Sequence, residues 1–501
     1  MNPTAETLEL LKSAKVLDAA ELAKAGIMIA QGLVAYDLEP AAKKIYPLIT
    51  PLRNTITRIG GGIGTAVHWN SVTGINVARL SPGVSEGHRG GAVSLNTMSN
   101  VAAYKVLGHE SFVTFEAEEA SLPGTDNRAL AILTTLQSLM QSEEMVLLGG
   151  NGDLALGQTP TPTLADVPTG GVLAPATAYK VVCVALTLEG FLAASVVNGI
   201  NLSITRTNAD GSTDTYGGGA AQASAPATVT TASDGNPTHG LKASVAPVTG
   251  AVAYAWFWGP AAGSQTLGAI TTINSILILT AAGAGTQTAT SLPAADNSVN
   301  GLLYDGLITQ ISTPGSGSYI AFQATGTPGT GTPLTADGAG GVVEINQALE
   351  AFWNNYRLSP DIMYVNAQEL QNITSKVIAG AGAPLFRFNV DAQTGTVADV
   401  TLTAGAVMGF YLNKFTMGGG QLVKVMLHPN LPPGTILFRC ERIPYPLTDV
   451  TNIIQVKTRR EYYQIEWPLR ARQWENGVYY SGVLQNYFPP AFGMICNIAN
   501  G

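Results

Sequence analysis

Residues Asp126 to Gly150, DNRALAILTTLQSLMQSEEMVLLGG, leave the chain the least conformational choice. Leu130, Leu133, Leu136 or Gln137, and Met140 recur at three- and four-residue spacing, the stripe of a helix with one face buried. Asp126 is placed to cap its start, and Gly149-Gly150 supplies the residues that stop it. At 1.5 Å per residue, roughly 22 residues make a rod of about 33 Å, long for a globular domain. This rod is expected to be a spine from which the other parts hang.

A chain of 501 residues has room for about three domains. Only 12% of residues are charged, about half the usual share, while 46% are apolar and can fill real cores. Abundant glycine with Ser, Thr, Ala and Pro in the loops suits a β-rich chain with an uncharged polar surface. A formal charge of −8 argues against gripping nucleic acid over a broad face. Cys183, Cys440 and Cys496 are widely separated and form no Cys-x-x-Cys pair, so buried reduced thiols are expected rather than a zinc site or a disulfide framework. No signal peptide is expected from MNPTAETLELLKSAK, which lacks a basic region followed by an apolar core. No run reaches the 18 or so apolar residues of a membrane span.

Along the chain, residues 4 to 31 read as helix, with Asp18 as N-cap and Glu21 three residues on. The arm LEPAAKKIYPLITPLRNTI follows, its Pro40, Pro47 and Pro51 expected to keep it extended along another surface. From Ile59 to Ala120 a long hairpin is predicted from TAVHWNSV and AAYKVLGHESFVTFEAEE, with LSPGVSEGHRGGAV between them. It has too few apolar residues facing one way to stand alone, so it should project and rest on something else. From about 158 to 296 charges thin out and short alternating strands appear: AYKVVCVAL, INLSITRT, GLKASVAP, AYAWFWG and ITTINSILIL. Strands at that spacing argue for a β-sandwich, with the run 216 to 235 as a loop. Beyond it, 342 to 357 is predicted helical with Ile345, Leu349, Phe352 and Tyr356 on one face. PDIMYVN should be a buried strand, with Asn366 and Glu369 starting the next helix. Residues 421 to 445 and 453 to 498 read as strands.

Several of these segments, taken in order, resemble the major capsid proteins of tailed bacteriophages that share the HK97 fold. YDLEPAAKKIYPLITPLRNTI is similar to their N-terminal arm, and GHESFVTFEAEE leading to LLGGNG to their extended loop and spine helix. YDGLITQI (304 to 311) is similar to the segment after the spine, and IIQVKTRREYYQIEWPLRARQWENGVYYSGVLQNYFPPAFG to the closing strands. GGVLAPATAYKVVCVALTLEGFLAAS and LKASVAPVTGAVAYAWFWG resemble Ig-like or fibronectin type III strands, although about 140 residues exceed a typical sandwich of about 100.

The resemblance implies an α+β subunit. Its parts would be an N-terminal helix and arm (1–58), an extended loop (59–120), a spine helix (121–157), an inserted Ig-like sandwich (158–296), a return to the peripheral domain (297–330), an axial domain (331–440) and closing strands (441–501). It also implies self-assembly as hexamers and pentamers into an icosahedral shell around packaged DNA, touched only weakly and non-specifically. A separate scaffolding protein and a portal protein are expected as partners, with room for a decoration protein and no membrane. The subunit would be assembled in a bacterial host's cytoplasm and end in the virion capsid. A tail tube or surface adhesin is the alternative.

No catalytic, cofactor or metal residue is assigned. Gly83-Val84-Ser85-Glu86-Gly87 matches G-x-S-x-G, but Pro82 precedes it and His88-Arg89-Gly90-Gly91 follows, so the strand–turn–helix of a nucleophile elbow is not expected. His68, His88, His109, His239 and His428 show no spacing that puts two ligands on one helix face. Arg58-Ile59-Gly60-Gly61-Gly62-Ile63-Gly64 lacks a phosphate-loop lysine and reads as a hinge at the hairpin base. Lys457, Arg459, Arg460, Arg470 and Arg472 form the main basic concentration. With Glu461, Glu466 and Glu475 interleaved, ion pairs are expected before nucleic-acid contact.

Overall fold

The computed structural model describes residues 48–75, 82–120, 126–208, 211–260, 263–292, 294–381, 386–390, 397–402, 409–445 and 448–500. The helix expected over 4 to 31 and most of the arm lie outside them. The described end of the arm is not extended throughout. Pro51 starts a short helix, α1 (Pro51–Thr55), because proline at the first helical position lacks only an N–H that would have no helical partner anyway. Strand β1 (Thr57–Ile59) follows.

The next strands, β2 (Ala66–Ile75) and β3 (Leu95–Ala103), pair antiparallel with each other and, among the described residues, with no other strand. Tyr104 interrupts the ladder, and β4 (Lys105–Thr114) turns into another sheet. The expected hairpin is therefore shorter than 59 to 120. Its last residues are helix α2 (Phe115–Glu119), started by the Thr114 hydroxyl accepting from Ala117 N. The rod is α3 (Asn127–Gly149), with Asp126 capping the Ala129 N–H.

Strands β5 (Thr163–Val167) and β6 (Ala178–Leu186) begin a separate β region. Helix α4 (Leu188–Ala193), β7 (Ser203–Thr207), β8 (Thr213–Gly217) and β9 (Ala227–Thr230) continue it. It is completed by β10 (Gly240–Ser244), β11 (Ala253–Gly259), β12 (Thr266–Thr271) and β13 (Ser275–Ile278). One sheet runs β13-β10-β5 and the other β12-β11-β6-β9, with β7-β8 as a side hairpin. Val181, Cys183, Ala185, Tyr254, Trp256 and Trp258 fill the space between the sheets. Alternate residues Val182, Val184, Ala255 and Phe257 join the larger core shared with the rest of the molecule. Burial on both faces explains why these two strands read as continuous apolar runs.

Their order departs from immunoglobulin constant domains, where strands one, two, four and five face three, six and seven. The likeness therefore extends to a two-sheet sandwich and not to its strand order. The run 216 to 235 is not simply a loop: it holds β9, and Gly217 to Ala221 are buried. Its glycines answer to close packing. A Cβ on Gly217 would lie 2.3 Å from Asn297 O, and one on Gly219 (φ +86) 2.4 Å from Gly190 N.

The chain leaves and returns at one place. Gly306 N donates to Gly150 O (2.8 Å), Thr309 Oγ1 to the same carbonyl (2.7 Å), and Gly152 N to Asp305 Oδ1 (2.8 Å). A second tie joins the sandwich to the body, where Asn274 N donates to Asn497 Oδ1 at 2.8 Å.

The rest comprises α5 (Leu307–Ser312), β14 (Tyr319–Phe322), α6 (Val343–Tyr356), β15 (Ile362–Val365) and α7 (Ala367–Ala381). Next come β16 (Phe386–Val390), β17 (Val397–Leu402), β18 (Phe410–Asn413), β19 (Gln421–Leu427) and β20 (Ile436–Arg439). The last are β21 (Ile454–Glu466), β22 (Gln473–Asn486) and β23 (Phe492–Cys496). Sheet β14-β23-β20-β15-β19-β18 carries α6, whose Ile345, Leu349 and Phe352 are buried. Residues 319–322 and 492–496 thus share a sheet with the 362–439 strands rather than with the closing strands. Sheet β1-β21-β22-β4 lies against α3.

Candidate assembly surfaces

The buried face of α3 is not the stripe read from its apolar residues. Thr135, Leu139, Glu143, Glu144 and Val146 to Gly149 are buried, whereas Leu133 is 41% exposed. Apolar spacing alone does not give the rotation of the helix. This helix turns two carboxylates into the core, and they fix its rotation.

Adjacent residues on a helix point about 100° apart, so Glu143 and Glu144 serve different partners. Glu144 Oε1 accepts from Leu52 N at 2.8 Å and Oε2 from Arg53 N at 2.7 Å. Thr50, the N-cap of α1, makes no side-chain cap bond. Glu144 takes over that task, an anion at the positive end of the helix. His428 Nδ1 accepts from Asn430 N, which leaves the ring proton on Nε2 to donate to Glu144 Oε1 at 2.8 Å.

Glu143 accepts from Arg58 Nη1 at 2.6 Å, from Arg53 Nε at 3.1 Å and from the Tyr462 hydroxyl. Both guanidinium carbons stand 5.2 Å from the Tyr462 ring centroid. Burial opposes the Arg58 charge, but the Glu143 carboxylate and its hydrogen bond outweigh it and raise the pKa. Burial, then Glu143, raises that of Tyr462. Arg439 Nη1 donates to Thr55 Oγ1 (2.7 Å) and Tyr364 OH (3.1 Å), closing the other end of α1. Pairing on this scale makes the arm's end part of the core, since removing one partner of a buried ion pair costs about 3–5 kcal/mol.

The β2–β3 ribbon is built the opposite way. Val72 (62%) and Ile75 (65%) are exposed on β2, and Leu95, Met98 and Val101 on β3. Its base is held: Val67 and Ala102 meet the core, and the Trp69 ring lies 6.1 Å from that of Tyr487. A two-stranded ribbon is at best marginally stable in water, and exposed apolar area of this kind marks a contact surface. A second such surface lies on β18–β19, where Phe410, Leu412 and Leu422 are exposed while Tyr411, Asn413 and Val423 face inward.

The motif residues are dispersed. Gly83 to Gly87 are exposed, with a turn at Glu86-Gly87 and no helix before β3, so the nucleophile-elbow geometry does not form. Gly62 N donates to Thr458 O at the foot of the ribbon, with Gly61 at φ 78. His68 and His88 are exposed, and His109 Nε2 pairs with Ser142 Oγ at 2.8 Å. His239 lies in the sandwich and His428 beside Glu144. Among the described residues no group of three or more His, Cys, Asp or Glu could hold a metal. All three cysteines are buried free thiols, and burial raises the pKa of Cys496 to about 12.

The basic cluster splays along β21 and the 467–472 turn. Arg472 pairs with Glu116 (2.8 Å), Glu461 with Arg58 (3.1 Å) and Glu466 with Arg128 (2.8 Å). Arg460 lies 3.7 Å from the Tyr463 ring centroid, and Arg459 Nε donates to Ser481 Oγ. Sequence reasoning missed the Glu143–Glu144 cluster. Its signal was two consecutive acids inside an otherwise apolar stretch.

No protein-family model and no curated protein matches this chain. Among solved structures, the capsid of a native GTA particle aligns over 94% of this chain and 98% of its own, at 9% identity and TM-score 0.42. The capsid asymmetric unit of Cyanophage A-1(L) aligns over 94% and 99%, at 12% identity and TM-score 0.42. The SrpI encapsulin of Synechococcus elongatus aligns over 92% and 93%, at 8% identity and TM-score 0.38.

Proposed function

We propose that this chain is a non-enzymatic, shell-forming subunit of the HK97 type, the major capsid protein of a tailed bacteriophage head. The observation that carries the reading is the β2–β3 ribbon, which leaves Val72, Ile75, Leu95, Met98 and Val101 exposed and is covered by no other described element of its own subunit. A second copy of the chain supplies the missing cover. The α3 rod, rigidly joined to the arm's end, gives the fixed frame from which such a ribbon can reach a neighbour. Closed symmetry then multiplies modest contacts, because each subunit is held by several others.

In this reading residues 158–296 form an inserted module on the outer surface, and its architecture supports the Ig-like class only at the level of a sandwich. Hexamers and pentamers of the chain enclose double-stranded DNA held by weak, non-specific contacts, in keeping with a net charge of −8. Scaffolding and portal proteins are separate partners, and a decoration protein has room on the outside. Among the described residues no helix is long and apolar enough to cross a membrane.

Electron microscopy of the purified chain, with and without its scaffolding partner, tests this. Closed shells are expected. Open tubes would favour a tail tube, and monomers at high concentration an adhesin. Shells that enclose protein cargo and never DNA would keep the subunit's role and remove the phage head.

A further inference from the structure

His239 lies in the sandwich, away from the arm–spine junction and the ribbon. The His239 side chain has no solvent exposure, and its two ring nitrogens each face a carboxylate. Nδ1 is 3.0 Å from Asp166 Oδ1 on β5, and Nε2 is 2.9 Å from Asp234 Oδ1 in the turn before β10. The same carboxylates hold the turn's backbone. Asp166 Oδ2 accepts from Ala232 N and Asp234 Oδ1 from Asn236 N, both at 2.9 Å. Asn236 Nδ2 adds a bond to Pro168 O at 2.9 Å. The turn's outer residues, Ala232 to Gly235, are exposed.

A neutral imidazole has one N–H. Between two carboxylates it must turn a lone pair toward one of them, in a place water does not reach. Only the imidazolium donates to both. No other charge intervenes: Lys242 on β10 is three residues on and stands on the other face by the strand's alternation. Residues 168–173 and β13 carry no titratable side chain.

We propose that His239 is a pH-sensitive latch that closes the 232–238 turn on the edge of the sandwich when protonated and frees it when neutral. Hydrogen bonds to Asp234 and Asp166 raise the pKa of His239, and the bond from His239 first among causes lowers that of Asp234. The signs follow. The histidine's contribution is complete below its unfolded value of about 6.5 and is lost as pH rises through the raised folded value. The Asp234 contribution is complete above its unfolded value of about 3.9 and is lost as pH falls through the lowered one. The turn is closed between the two.

Hydrogen exchange of the full-length chain, read as protection factors for the 232–238 peptide, tests the latch. From pH 6 to pH 9.5 protection is expected to fall about tenfold or more. In Asp166→Asn the amide nitrogen can donate to a neutral ring at Nδ1 while the amide oxygen still accepts from Ala232 N, so protection should stay flat across that range. His239→Gln, which cannot titrate, should also be flat. Flat protection in the unaltered chain overturns the proposal, and so does an Asp166→Asn chain that loses protection as the unaltered one does. The result is independent of whether the chain forms shells.

Discussion

The arm–spine junction and the β2–β3 ribbon solve opposite problems. At the junction, groups costly to bury are paired: Glu143, Glu144 and His428 are buried, and Arg53, Arg58 and Tyr462 are half-buried against them. On the ribbon, groups that favour burial are left exposed: Val72, Ile75, Leu95, Met98 and Val101. The first arrangement is complete within one subunit and makes it rigid. The second is incomplete among the described residues, and under the proposed function a neighbouring copy completes it. A rigid base is what lets an unfinished ribbon present a defined surface, because a loosely held one would collapse onto its own chain.

The contrast can be broken by substitution. Glu143→Ala should have the largest effect, removing a buried carboxylate from two half-buried guanidiniums and lowering subunit stability by about 3–5 kcal/mol in urea unfolding. A change under 1 kcal/mol would mean the cluster is solvated and the junction loose. Leu139→Ala, on the true buried face of α3, should cost about 2–5 kcal/mol. Leu133→Ala, on the exposed face, should stay within about 0.5 kcal/mol. Equal effects at the two positions would restore the stripe read from sequence. Asp126→Ala, which removes the α3 cap, should cost about 1 kcal/mol in the same measurement. Smallest of all should be Val72→Ser with Met98→Ser on the ribbon: subunit unfolding within about 0.5 kcal/mol, but no assembled particles by sedimentation.

The extent of α3 and its Asp126 cap were legible because both are local: a period, a capping side chain and a stopping glycine pair. The buried strand Ile362–Val365 and the α6 face were legible for the same reason. The rotation of α3 was not. It is set by carboxylates whose partners Arg58 and Tyr462 lie 85 and 319 residues from Glu143. No periodicity within the helix carries that information. The Gly217 to Ala221 run misled for a related reason, since small residues that suggest a loop also allow backbone to pass close to backbone. At the contact surfaces, the sequence showed that the ribbon could not cover itself, and the structure adds which side chains are left over.

The central claim is that the ribbon is finished by a neighbouring copy. A photo-reactive side chain in place of Met98, activated in assembled material and mapped by mass spectrometry, tests it most directly. The account predicts adducts between subunits, absent when the same chain is irradiated before assembly. Adducts confined to a single chain, equal before and after assembly, would contradict it.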